Sequence, residues 1–118
     1  MEDKVKLFVY GTLKEGYGNN RYHLYDCEKL GEGWLKGFEM RASGIPFVYY
    51  SNDPESKVYG DIYRVPWDKI VNSIDFLEGH PSFYTRTWIE DQLGGVWVYL
   101  CDQPRTPIVE SGIYGGWQ

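Results

Sequence analysis

The groups best placed for chemistry in this chain are backbone amides. An apolar run, Val5, Leu7, Phe8 and Val9, opens into the loop Tyr10-Gly11-Thr12-Leu13, with further glycines at Gly16 and Gly18. Glycine takes positive φ without penalty and lets other groups approach the main chain closely, so such a loop can aim bare N–H donors at an anion. Phosphate is the first anion to test. A P-loop places Gly-Lys-Ser/Thr after four spacer residues, but Gly11 is followed by Thr12-Leu13-Lys14-Glu15-Gly16-Tyr17, with Tyr17 in the lysine position. A dinucleotide fingerprint needs a third glycine three residues beyond a G-x-G, and Gly16-Tyr17-Gly18 is followed by Asn19, Asn20 and Arg21. No G-x-S-x-G occurs. His23, His80, Cys27 and Cys101 show no paired ligand spacing, so no metal site is expected.

The elements that must position this loop are short strands and one helix. The loop leaves the strand Val5–Val9, whose apolar Val5, Leu7, Phe8 and Val9 predict at least partial burial of both faces. Residues 21–29 are mixed and read as irregular chain. Residues 30–40 carry Gly31, Gly33 and Gly37 among large apolar residues, which predicts a bent or bulged strand rather than a helix. Ile45–Tyr50 and Lys57–Val65 read as strands around a turn at 51–56, and Gly60 marks a bulge or a close approach. In PWDKIVNSIDFLEG, Trp67, Ile70, Ile74 and Leu77 recur at helical spacing on one face, and Pro66 can occupy the first turn. Gly79 ends that helix and Pro81 blocks its continuation, which leaves Glu78 at the exit and Asp75 on the solvated face. Phe83–Glu90 and Val96–Cys101 predict a hairpin turning at Gly94-Gly95, and the tail from Gln103 to Gln118 reads as loop. The expected fold class is α+β: a small, curved, mainly antiparallel β-barrel with one main flanking helix, in a single domain over residues 1–118.

Bulk composition narrows the partners. Aromatic residues make up 18% of the chain, including 11 Tyr and 5 Trp, and such rings with polar handles suit a small-molecule cleft. The net charge of −5 and the lack of any basic run longer than two residues argue against nucleic acid and anionic membranes. The start of the chain has acids ahead of a five-residue apolar run and lacks the basic region of a signal peptide, so a cytoplasmic location is expected. Cys27 and Cys101 then read as free, structural thiols. The oligomeric state is not legible, and a monomer is the default.

Tyr10-Gly11-Thr12-Leu13 directly after the first strand, followed by Leu77-Glu78-Gly79-x-Pro81-x-x-Tyr84-x-Arg86, resembles the gamma-glutamylcyclotransferase-like superfamily, most closely its gamma-glutamylamine cyclotransferase branch. Val58-x-Gly60-x-Ile62-Tyr63 and Ser111-Gly112 extend the resemblance over most of the chain. Branches acting on glutathione usually carry YGS, and Thr12 points away from that substrate. The resemblance implies a cleft between the YGTL loop and an acidic residue. It also implies a cofactor-independent reaction, in which the α-amino group of a gamma-glutamyl amine attacks its own side-chain carbonyl, closing 5-oxoproline and expelling the amine.

On that reading Glu78 is the general base and acid, and burial beside Phe76, Phe83 and Tyr84, at a negative helix C-terminus, should raise its pKa. The Gly11, Thr12 and Leu13 amides would hold the substrate carboxylate or the oxyanion, with Tyr10 and Tyr84 orienting the substrate. Arg86 could pair with a carboxylate in the pocket or with a surface acid, the surface pair being the default on a strand, and His80 defaults to a solvated or capping group. The alternatives from other classes are a non-catalytic module of the same fold that binds a small acidic metabolite or partner, and an interaction protein with an exposed aromatic patch. A carboxylate in the cleft favours the enzyme, since a binder of anions gains nothing from it.

Overall fold

The first strand is the centre of the molecule because it is apolar on both faces. The structure, a computed structural model, describes residues 3–115. In it β1 (Lys4–Val9) pairs antiparallel with β5 (Lys57–Pro66) on one side and parallel with β7 (Val96–Leu100) on the other. The outer strands β2 (Glu28–Lys36) and β6 (Thr85–Ile89) complete a five-stranded sheet of order β2-β5-β1-β7-β6. A separate hairpin, β3 (Phe38–Ser43) and β4 (Ile45–Tyr50), forms a two-stranded sheet.

Side chains alternate across a strand, so β1 feeds two cores. Leu7 and Val9 pack with Leu24, Phe47, Tyr63, Ile70, Ile74 and Tyr84. Phe8 and Tyr10 pack on the opposite face with Met40 and Val48 of the β3–β4 hairpin, Val58, Val98 and Tyr114. The mixed α+β class and the mainly antiparallel pairing are as expected. The barrel-like curvature comes from the twisted sheet with the hairpin laid over one face, and among the described residues the ladders remain open. The bulge foreseen around Gly31 lies between Lys29 and Gly31 where β2 meets β5.

Gly60 is a close approach. An ideal β-carbon there would lie 2.4 Å from the Val9 carbonyl oxygen and 2.7 Å from Phe8 Cζ, just where the loop leaves β1. Gly60→Ala is therefore expected to push β1 and β5 apart and destabilise the protein by roughly 1–3 kcal/mol. A urea midpoint equal to that of the wild type would show that the strands yield without cost.

Two sequence expectations change here. Residues 18–23, within the loop and the segment read as irregular, hold a short helix, α1 (Gly18–His23), which buries Asn20. Residues 38–43 form a strand of their own, β3, because Gly37 turns the chain and Phe38 and Met40 find burial against the sheet. The tail is irregular as expected, but Tyr114 is buried and its hydroxyl donates to the Gly44 carbonyl at 3.0 Å. Residues 116–118 of that tail lie outside the described residues.

The helix also differs from its regular pattern. It runs as α2 (Trp67–Lys69), a π-helical turn over Ile70–Ile74, and α3 (Asp75–Glu78), while Pro66 ends β5 and stands as the N-cap. The i→i+5 turn takes one residue more than an α-turn, so the inward face is displaced beyond it. Ile70 and Ile74 are fully buried, but Leu77 is 40% and Phe76 89% exposed, while Asp75 is buried. Phe76 thus cannot shield Glu78, and Asp75 does not lie on the solvated face.

Candidate active site

Glu78 is the last residue of α3, and a left-handed glycine fixes its place. Gly79 sits at φ 69°, ψ 33°. Its N–H donates to the Phe76 carbonyl at 3.2 Å, and the His80 N–H donates to the Asp75 carbonyl at 2.9 Å, the paired bonds of a Schellman cap. The chain can therefore leave the helix immediately after Glu78, with the side chain at the exit.

The YGTL loop arrives from the other side. It lies against β4 so closely that a β-carbon at residue 11 would stand 2.8 Å from Pro46 Cγ. The Lys14 N–H closes the turn onto the Gly11 carbonyl at 3.0 Å. Asn20 donates to the Leu13 carbonyl at 2.8 Å and to the Tyr63 hydroxyl at 2.9 Å, and Asn19 donates to Thr12 Oγ1 at 2.8 Å. Glu15 N–H donates to the buried Asp61 carboxylate at 2.8 Å, and Lys14 Nζ donates to the Tyr114 carbonyl at 2.8 Å. Among the described residues, the amides of Gly11, Thr12 and Leu13 donate no hydrogen bond within the protein. The loop is held by its carbonyls and side chains, and these three N–H groups stay unspent.

Tyr10, Gly11, Thr12, Leu13, Glu78 and Tyr84 line one cavity of about 210 Å³. Its wall also includes Asn19, Pro46, Tyr99 and Phe83, with Ile45 and Leu77 partly exposed. Asn19 and Tyr99 were not singled out from the sequence; the only pointer to Asn19 was its position next to a loop whose groups need partners. Among the lining residues there is no Lys, Arg or His, and Glu78 is the one carboxylic acid. Burial pushes the Glu78 carboxyl up to about 7. The cause is loss of hydration: the surrounding rings and apolar side chains disfavour the anion.

The three tyrosines around this carboxyl each give their proton to another acceptor. Tyr10 donates to the Tyr99 carbonyl at 2.5 Å, Tyr84 to the Pro46 carbonyl at 2.6 Å, and Tyr99 to Asp75 Oδ1 at 2.5 Å. Burial, followed by neighbouring acidic groups, raises all three phenols above their ordinary value. They are neutral at physiological pH and face the cavity as oxygen acceptors.

Arg86 and Asp75 depart from expectation. Arg86 is no surface partner: Nε donates to Asp75 Oδ1 at 2.9 Å and Nη2 to Oδ2 at 3.1 Å, and both side chains are largely buried. Burial alone would raise the Asp75 carboxyl, but the hydrogen bonds from Arg86 and Tyr99 outweigh it and hold the group below its usual value. His80 plays the capping part, its Nδ1 accepting the Arg86 N–H at 3.0 Å. Cys101 is buried, Cys27 is partly exposed, and both are free thiols. Among the described residues no three His, Cys, Asp or Glu side chains converge on a metal position, and no helix is long and apolar enough to cross a membrane.

Comparison with known proteins bears on this arrangement. A candidate gamma-glutamylcyclotransferase of Methanocaldococcus jannaschii is 33% identical over 114 residues, covering 92% of this chain and 93% of that protein. A gamma-glutamylaminecyclotransferase of Rattus norvegicus is 33% identical over 92 residues, covering 71% of this chain and 61% of that protein. The crystal structure of an uncharacterised Pyrococcus horikoshii protein shares the fold, with a TM-score of 0.78 at 23% identity over 92% of this chain and 88% of that one. The family described as "Gamma-glutamyl cyclotransferase, AIG2-like" matches residues 7–117, a span that includes the loop, the π-turned helix and Glu78. By that match, the chain belongs to the AIG2-like gamma-glutamyl cyclotransferase family.

Proposed function

We propose that the protein is a cyclotransferase that converts a small gamma-glutamyl amine to 5-oxoproline and the free amine, with Glu78 moving the proton. The observation that carries this reading is the meeting, in one cavity, of a carboxyl held near neutrality and a loop with three unspent amides. A carboxyl whose pKa lies near 7 divides between base and acid at neutral pH, the condition in which one group serves both transfers.

In the proposed reaction the amides of Gly11, Thr12 and Leu13 take the substrate α-carboxylate and the developing oxyanion. The α-nitrogen, once freed of its proton, forms a bond to the γ-carbonyl carbon. Glu78 accepts the proton that the nitrogen sheds on attack and returns it to the amide nitrogen as the bond between that nitrogen and the γ-carbonyl carbon breaks. Atoms balance without a co-reactant: the substrate becomes a lactam and an amine. Tyr10 and Tyr84, with their protons committed to backbone carbonyls, offer lone pairs to the α-amino group. Holding the amine against the carbonyl can itself lower the barrier by roughly 7–11 kcal/mol, and the proton transfers contribute a further factor of about 10²–10⁴.

The family and the name of the rat relative support an amine conjugate as the substrate. The test is incubation with a panel of gamma-glutamyl compounds that includes gamma-glutamyl-lysine and glutathione, with detection of 5-oxoproline. Release from amine conjugates and little from glutathione is expected. No 5-oxoproline from any member would overturn the reading in favour of a binding module.

A further inference from the structure

Arg86 holds the chain on both sides of Glu78. Its guanidinium grips Asp75, three residues before Glu78, through two parallel bonds of 2.9 and 3.1 Å. Its backbone N–H donates to the ring of His80, two residues after Glu78, at 3.0 Å. The guanidinium carbon also lies 4.9 Å from the ring centres of both Trp67, at the head of the helical run, and Trp97 on β7. One β6 residue thus ties the start of the helix, its last turn and its exit to the sheet. Asp75 passes the connection on, since it accepts the hydroxyl of Tyr99, a cavity residue whose carbonyl in turn accepts the Tyr10 hydroxyl.

The π-helical turn makes this possible. By displacing the inward face, it turns Asp75 towards β6 and β7 and leaves Glu78, on the same side one turn later, at the cavity. A largely buried ion pair adds little net stability over apolar packing of the same volume. What a bidentate, ring-stacked arginine does supply is direction, because its planar fork accepts a carboxylate in one geometry.

We propose that Arg86 is a positioning residue for Glu78: its guanidinium, by clamping Asp75, sets how deeply and at what angle the Glu78 carboxyl enters the cavity, while its backbone N–H, which no side-chain change removes, holds His80. The kinetic part of this inference rests on the reading of Glu78 as the acid–base group. The groups facing Glu78 are Tyr10 at the end of β1, Tyr84 before β6 and Tyr99 on β7, all neutral phenols, with Asp75 and His80 on its own segment. The phenols keep their protons near neutral pH, so they do not mask the Glu78 titration.

The test uses the full chain with Arg86→Gln and Arg86→Lys, each first assayed for folding by circular dichroism. The carbon-detected NMR titration of Glu78 needs no substrate. Its midpoint is expected to move down by roughly one pH unit or more in Arg86→Gln, as the last helical turn, loosened at Asp75, lets water reach the carboxyl. Arg86→Lys, which keeps the charge but not the fork, should fall between this and the wild type. With substrate, kcat per folded molecule should drop about 10²-fold in Arg86→Gln while KM changes little, as expected for a displaced catalytic group. An unmoved Glu78 midpoint with kcat near that of the wild type would overturn the clamp, as would a loss confined to KM. If Arg86→Gln does not fold, the same readouts on Arg86→Lys decide. If the wild type releases no 5-oxoproline, the cyclotransferase reading fails, and the titration alone still judges the clamp.

Discussion

Glu78→Gln is expected to leave a folded protein with near-normal KM whose turnover falls by a factor of about 10²–10⁴. Glutamine matches the shape of the side chain and keeps a carbonyl acceptor, so the helix exit and its Gly79 cap need not rearrange. It has no proton to exchange. The amine would then lose its proton, and the leaving nitrogen gain one, only through water, and this cavity is walled by rings and apolar side chains. Substrate binding should survive, because the amides of Gly11, Thr12 and Leu13 are untouched. Steady-state assay of 5-oxoproline release, with binding checked by calorimetry, separates the two effects. Turnover near that of the wild type would remove Glu78 from the mechanism.

The same substitution is expected to make the protein more stable. A carboxyl that titrates at about 7 when folded and at 4.5 when exposed gives the folded state the larger share of protons between those values. Folding stability therefore falls as pH rises through that window, and at pH 8 the buried anion costs about 2–3 kcal/mol after allowance for the solvent access Glu78 retains. Glutamine carries no such penalty. Urea denaturation should show wild type and variant alike near pH 4.5 and the variant ahead at pH 8. Measurements belong above pH 4.5, because the depressed Asp75 carboxyl stabilises the fold only while ionised, and that contribution fades in acid. A difference that does not grow with pH would mean that Glu78 is not held near neutrality. A gain in stability on loss of the working group is what a site strained for function produces.

How much of this was legible in advance depended on the range of the interactions. The apolar run of β1, the glycine exit of the helix and the turn at 51–56 are local signals, and the structure carries all three. The loop residues and Glu78 were assembled from a family pattern, not from spacing, since a glutamate at a helix end is in general a surface residue. Asp75 and Arg86 were misjudged for one reason. A regular 3.6-residue repeat puts Asp75 on the outside, and nothing in IVNSI announces a π-helical turn. That turn faces Asp75 towards β6 and β7, where Arg86, stacked on Trp97, and Tyr99 donate to its carboxylate.

Order along the chain was enough to establish the α+β class, the central place of the first strand, and the pairing in sequence of a donor loop with an acidic helix exit. Periodicity, glycine and proline act over a few residues, and that information is complete in the order of the chain. The state of the carboxyl, the commitment of three tyrosine protons and the clamp across Glu78 belong to the folded molecule alone. Each arises from groups far apart in sequence that share one water-poor volume, where the loss of hydration and the few remaining partners decide which proton stays and which side chain is free to act.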